Sequence, residues 1–154
     1  MRVLVLGNGG REHAIAWRLH QSPSVKEVVV APGNPGCAQV ATCIRPASTK
    51  TADLLALADQ IRPDLTIVGP EAPLVNGIVD LFRANGRLIF GPTQAAARLE
   101  GSKIFAKEFM VRHRIPTARY SVVSTQEEAR PALRSFLESV CRSRGILRCF
   151  RCSK

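Results

Sequence analysis

Arg2-Val3-Leu4-Val5-Leu6-Gly7-Asn8-Gly9-Gly10-Arg11-Glu12 is the stretch on which the fold turns. Its apolar residues run on without the alternation that a strand with one wet face would show, as suits a parallel strand buried on both sides. Gly7 ends the run. Residues 11–21 then take a helical spacing, with Ile15 and Leu19 four apart and Ala14 and Trp17 beside them. Residues 25–31 return to β-branched side chains and are stopped by Pro32-Gly33-Asn34-Pro35-Gly36. Strand, glycine loop, helix and strand in that order predict an α/β fold.

The pattern resumes after a poorly marked stretch at 40–44. Thr51 is placed to cap a helix through Ile61, with Leu54, Leu55, Leu57, Ala58 and Ile61 on its buried side. Residues 65–68 read as the next strand, terminated by Gly69-Pro70-Glu71. One helix is predicted over 74–85, carrying Val75, Ile78, Val79 and Phe82, with Gly86 suited to its C-terminal cap. Residues 88–90 form a strand closed by Gly91-Pro92. Helical segments at 94–100 and 103–114 hinge at Gly101-Ser102, and Ile115-Pro116 ends the second. Residues 118–123 read as extended, and a helix runs from Thr125 through Leu137 with Pro131 in its first turns. Beyond Ser139 the periodicity is lost. Strands alternating with helices imply a Rossmann-like parallel sheet of four or five strands with right-handed crossovers. In such a sheet the C-terminal strand ends share one rim, so the loops at 7–12, 32–36, 69–73 and 91–93 should converge there.

At 154 residues, 45% hydrophobic and 22% charged, the composition suits one full domain and the opening of a second, and excludes disordered and fibrous classes. No apolar run approaches the roughly 18 residues of a membrane span, and the first residues enter a strand rather than a signal peptide. A cytoplasmic monomer with no membrane partner is expected. The net charge of +10 is uneven: residues 129–154 hold seven Lys or Arg against one acid, Glu138, while the rest carry 15 against 11. Only a basic tail would favour nucleic acid, through salt-sensitive binding, and no nucleic-acid partner is expected. Of five cysteines, Cys141, Cys149 and Cys152 lie in the tail and Cys37 and Cys43 in the body. They read as free thiols. The Cys149 and Cys152 pair offers only two ligands of a tetrahedral zinc site, so no metal is expected.

Chemistry points to the rim. The loop of Gly7, Asn8, Gly9, Gly10, Arg11 and Glu12 suits an anion, because glycines let backbone N–H groups approach a phosphate and the following helix adds its positive dipole end. Three or four charge-assisted bonds of about 1.5–3 kcal/mol each would give micromolar binding after association costs. The loop alone is not specific. As a dinucleotide site, Gly7-x-Gly9-x-x-Glu12 lacks the third glycine, and the ribose-binding acid about 20 residues on is replaced by Val30-Ala31-Pro32. As a P-loop it lacks Gly-Lys-Ser/Thr. Sugar-phosphate binding, a structural turn and a nicotinamide site stay open on pattern alone. Glu71, in the stiff turn Gly69-Pro70-Glu71-Ala72-Pro73, is placed either to accept bonds from ribose hydroxyls or an amine, or to sit in a helix dipole field. His13 reads as structural, and Cys37, with no activating neighbour, as inert.

Taken together, six motifs in order resemble glycinamide ribonucleotide synthetase over residues 1 to about 124: Gly7-Asn8-Gly9-Gly10-Arg11-Glu12-His13-Ala14, Ala31-Pro32-Gly33-Asn34-Pro35-Gly36, Val68-Gly69-Pro70-Glu71-Ala72-Pro73-Leu74, Phe90-Gly91-Pro92-Thr93, Leu99-Glu100-Gly101-Ser102-Lys103 and Ile115-Pro116-Thr117-Ala118. The resemblance implies a pre-ATP-grasp substrate-binding domain over 1–101 and the beginning of an ATP-grasp portion over 102–138. It implies a ligase of purine biosynthesis that uses ATP with Mg2+ or Mn2+ to join glycine to 5-phosphoribosylamine. The sugar phosphate would be held by residues 7–12, Gly33, Asn34, Gly69, Pro70 and Glu71, and nucleotide phosphates by Lys103, which should be exposed. A non-catalytic sugar-phosphate-binding module is the alternative. Residues 139–154 depart from the family, whose ATP-binding lysine strand and Gly-rich loop are replaced by an Arg- and Cys-rich tail. That tail reads as a frameshift or truncation, and the fragment is expected to be inactive. Lys50 stands near where relatives often carry an acid.

Overall fold

The computed structural model describes residues 1–143. The chain divides into two compact units, Met1–Phe109 and a second beginning at Met110.

The first unit is built on a five-stranded parallel sheet of β1 (Arg2–Gly7), β2 (Glu27–Pro32), β3 (Thr42–Cys43), β4 (Leu65–Val68) and β5 (Ile89–Phe90), in the order β3-β2-β1-β4-β5. The predicted α/β fold is what forms. β1 lies at the centre, and its four consecutive apolar residues serve two cores. Leu4 and Leu6, with Val29 and Ala31 of β2 and Val68 of β4, face α2 (Thr51–Ile61) and α4 (Ile78–Ala84), where Leu54, Leu57, Ala58, Ile78, Val79 and Phe82 are buried. Val3 and Val5, with Val28 and Val30, face α1 (Gly10–His20) and pack with Ala16 and Cys37.

The structure corrects several local expectations. Lys50, not Thr51, occupies the N-cap of α2 and gives no side-chain cap. Instead the Ser48 hydroxyl accepts from the Lys50 N–H and donates to Asp53. The helix predicted over 74–85 is two, α3 (Glu71–Val75) and α4, broken where Gly77 turns to a φ of +79°. Only a residue without Cβ enters that region freely. Within α1, Glu12 and Ala16 are buried and Trp17 is 50% exposed. Gly86 does follow α4 with a φ of +67°.

Helix α5 (Gln94–Gly101) is followed directly by α6 (Lys103–Arg112), hinged at Ser102 as predicted. In the second unit, residues 115–123 form neither helix nor strand. Helix α7 (Gln126–Ser143) begins where Thr125 accepts the Glu128 N–H at 3.2 Å and the Glu128 carboxylate accepts from the Ser124 N–H at 2.8 Å. These paired bonds satisfy donors that a helix start otherwise leaves orphaned. Pro131 lies in the second turn, and α7 continues past the Ser139 limit read from periodicity. Expectations for 144–154 lie outside the described residues.

Candidate functional site

Three of the four predicted rim loops are tied together by side chains bonding to backbone. From the loop after β2, the Asn34 amide nitrogen donates to the carbonyls of Asn8 at 2.9 Å and Gly9 at 3.1 Å. Its side-chain oxygen accepts the Cys37 N–H at 2.9 Å. From the start of α1, the Arg11 guanidinium donates to the Gly69 carbonyl, two residues from Glu71. Backbone bonds close the same arc: the Gly33 N–H donates to the Gly7 carbonyl and the Gly69 N–H to the Leu6 carbonyl, both at 3.0 Å. The fourth loop lies one strand further along. Gly91 packs there against Leu74 and Val79, so close that a Cβ would meet the Leu74 side chain at 2.8 Å.

Glu12 is not on the surface of this arrangement. It is 4% exposed, and its Oε2 accepts the Gly9 N–H at 2.5 Å. Gly9 has no side chain to return the bond, so only half of a capping box exists, from the third helical residue back to the N-cap. The carboxylate lies in a slot that requires glycine: a Cβ at Gly7 would stand 2.7 Å from Glu12 Cδ, one at Gly9 2.9 Å from Oε2, and one at Gly69 would overlap Oε1. The missing third glycine thus has a physical reason. Where a dinucleotide fold needs a bare helix to approach the strand, this chain extends a side chain toward the end of β4.

The other sequence candidates divide by exposure. Asn8, Gly9, Gly10, Arg11 and Glu71 are exposed, Gly33, Asn34 and Pro70 are half-buried, and Gly7 and Gly69 are buried. Glu71 is the first residue of α3, where its charge also meets the favourable end of a short helix. Lys103 is exposed at the first position of α6. His13 fills the space left by Gly36, where a Cβ would come within 2.8 Å of Nδ1, as its structural reading expects. Cys37 is buried. Desolvation, and then the neighbouring Cys37, push the Cys43 thiol above its ordinary value.

Beside the glycine loop, on the α2 and α3 side of the sheet, is a cleft of about 270 Å3 whose walls include Asn8, Pro32, Pro46, Thr49, Pro70 and Asn76. Pro46, Thr49 and Asn76 were not singled out in sequence. They come from the unpatterned β3–α2 connection and from the helix break, neither of which carries a periodic signal.

Residues 1–100 match the family described as the N domain of phosphoribosylglycinamide synthetase. The chain is 57% identical over 132 residues to the phosphoribosylamine-glycine ligase of Xylella fastidiosa (strain 9a5c), covering 84% of this chain and 30% of that one. With the Escherichia coli (strain K12) enzyme of the same name it is 55% identical over 141 residues, covering 87% and 32%. The chain therefore spans about 30% of the length of the curated relatives it matches. The crystal structure of phosphoribosylamine-glycine ligase from Thermotoga maritima superposes with a TM-score of 0.62 at 34% identity, over 88% of this chain and 30% of that one. A biotin carboxylase domain of a single-chain bacterial carboxylase, at 17% identity and a TM-score of 0.63 over 87% of this chain and 34% of its own, shares the fold alone.

Proposed function

We infer from the family to which this chain belongs, the phosphoribosylglycinamide synthetase N domains matched over residues 1–100, that it supplies the substrate-binding part of a ligase joining glycine to 5-phosphoribosylamine. The observation that carries this reading is the bonding of three loops into one rim by Asn34 and Arg11. The sugar phosphate would place its phosphate at the start of α1, on the N–H groups of Gly10 and Arg11, which a helix leaves without internal partners. The Gly9 N–H is already held by Glu12. The ribose would extend toward Glu71, whose exposed carboxylate accepts hydroxyl or amine hydrogen bonds.

On this reading residues 1–101 form the substrate-binding domain, 102–138 open the ATP-grasp portion, and Lys103 reaches nucleotide phosphates. In such ligases ATP with Mg2+ or Mn2+ supplies the phosphoryl group that activates the glycine carboxylate. Among the described residues no three His, Cys, Asp or Glu side chains gather as a metal ion would need. Lys103 by itself offers ATP a contact worth about 1.5–3 kcal/mol, against roughly 8 kcal/mol for micromolar binding. The chain alone therefore binds sugar phosphate without turnover, since catalysis of phosphoryl transfer depends on positioning and charge neutralisation.

Calorimetry with ribose 5-phosphate, and a coupled assay of ADP release with phosphoribosylamine, glycine and magnesium-ATP, test both halves. Saturable binding without ADP release is expected. Absence of binding at millimolar ligand overturns the site, and ADP release abolished by Glu71→Ala overturns the inactivity.

A further inference from the structure

We propose that Glu12 is a positioning residue that fixes the spacing between the glycine loop and the Glu71 turn, so that both ends of one sugar phosphate are met at once. The proposal rests on the sugar-phosphate reading above and assigns Glu12 no contact with the ligand.

Glu12 is buried at 4% exposure with one polar partner, the Gly9 N–H. Neither the Arg2–Glu27 nor the Arg87–Asp59 ion pair involves it. Taking a carboxylate to 4% exposure has a desolvation cost that an apolar side chain or the usual third glycine, packing a helix onto β1, would avoid. What the carboxylate achieves is a link between loops 57 residues apart. Its oxygen against Gly9 holds the first loop, and its other oxygen lies where the Cβ of any residue but glycine would stand at position 69. Arg11, the adjacent residue, holds the carbonyl of the same Gly69. Gly69 is thus gripped on two sides by consecutive residues of α1, and Glu71 follows two residues on at the start of α3. A direct role on phosphate is disfavoured by charge, since a carboxylate repels an anion and Glu12 withdraws one N–H from it.

The test separates spacing from charge and from folding. Affinities of the 154-residue chain for ribose 5-phosphate, which needs both loops, and inorganic phosphate, which needs only the first, are measured for the native chain, Glu12→Asp and Glu12→Gln. Aspartate keeps the charge but is one methylene short of the slot, and glutamine keeps the reach. Glu12→Asp should weaken ribose 5-phosphate on the order of tenfold, the worth of one ligand hydrogen bond lost at a displaced Glu71, while phosphate, which does not reach Glu71, moves less than about twofold. Glu12→Gln should fall between Glu12→Asp and the native chain. Were Glu12 only a charge near an anion, glutamine would tighten both ligands and aspartate would match the native chain. Were it only a folding element, both ligands would weaken in parallel with the thermal midpoint. Either result overturns the proposal. A native chain that binds ribose 5-phosphate no more tightly than phosphate instead overturns the reading of the site beneath it.

If Glu12→Asp does not fold, the slot is tested from its far wall with Gly69→Ala, Glu12→Ala and the double variant. A Cβ at position 69 displaces Glu12, so Gly69→Ala should weaken ribose 5-phosphate in the native background and add nothing once Glu12 is alanine. Additive losses would overturn the shared slot.

Discussion

Replacing Asn34 with alanine removes three hydrogen bonds at once: two donated to the Asn8 and Gly9 carbonyls and one accepted from the Cys37 N–H. A hydrogen bond contributes about 0.5–1.5 kcal/mol net. The two carbonyls face the rim, where water partly replaces the lost donor, so they count at the low end of that range. The Cys37 N–H leads into a buried residue and counts near the top. Together they give about 2 kcal/mol, which at a urea slope of roughly 1.5–2 kcal/mol/M moves the midpoint down by about 1 M. Trp17 is the single tryptophan of the sequence and lies in α1, so its fluorescence follows the first unit. Asn34→Asp sharpens the test. It keeps the Cys37 bond but turns an anionic oxygen toward two carbonyls, so it should be no more stable than Asn34→Ala and should bind ribose 5-phosphate less well. An unfolding free energy for Asn34→Ala within about 0.5 kcal/mol of native, or an aspartate variant near native in both respects, would refute the claim that this side chain ties the loops.

Phe82 is fully buried between α4 and the sheet, and Phe82→Ala should cost about 3–5 kcal/mol in the same denaturation experiment. Gly77→Ala should cost about 1 kcal/mol or more by calorimetric midpoint, because φ is +79°, a backbone conformation that strains any residue with a Cβ. Alkylation of Cys43, followed by mass spectrometry against pH, should have its midpoint above the ordinary thiol value of 9.0. Because the folded thiol holds its proton more tightly than the unfolded one, its contribution to stability is complete below about pH 9 and is lost as pH rises through the folded value. Cys43→Ser should remove that slope.

Strands buried on both faces were legible because they need consecutive apolar residues, which β1 and β2 have and β4 breaks only at the buried Thr66. β3 was not, since Thr42 and Cys43 are exposed and pair with β2 over two residues only. The break between α3 and α4 was hidden for a different reason. Residues 74, 75, 78, 79 and 82 keep a helical interval across Gly77, so periodicity reads one helix where backbone conformation makes two. Among the candidate rim residues, Asn34, Arg11 and Glu71 stand out in sequence through their turns and charges. Glu12 was found as a residue but not as a buried one, because its partner in space, Gly69, is an unremarkable glycine after a strand. Its one sequence signal is the spacing Gly7-x-Gly9-x-x-Glu12, in which a charged residue stands where packing asks for none.

The pattern of bonds across the rim has an electrostatic consequence. Every inter-loop bond made by a side chain ends on a carbonyl: Asn34 on Asn8 and Gly9, Arg11 on Gly69. In a planar trans peptide the N–H points opposite to the C=O. Pinning the Asn8 carbonyl toward Asn34 therefore turns the Gly9 N–H the other way, where Glu12 takes it. The Gly9 carbonyl is held by Asn34 and by the His13 N–H at 3.2 Å, which directs the Gly10 N–H outward at the start of α1. Peptide oxygens that would repel an anion are engaged by Asn34 and Arg11, and the donor left over sits on the positive end of the helix. Gly10 is itself exposed, so on the proposed reading a phosphate at this helix start would meet a loop already held by Asn34, Arg11 and Glu12.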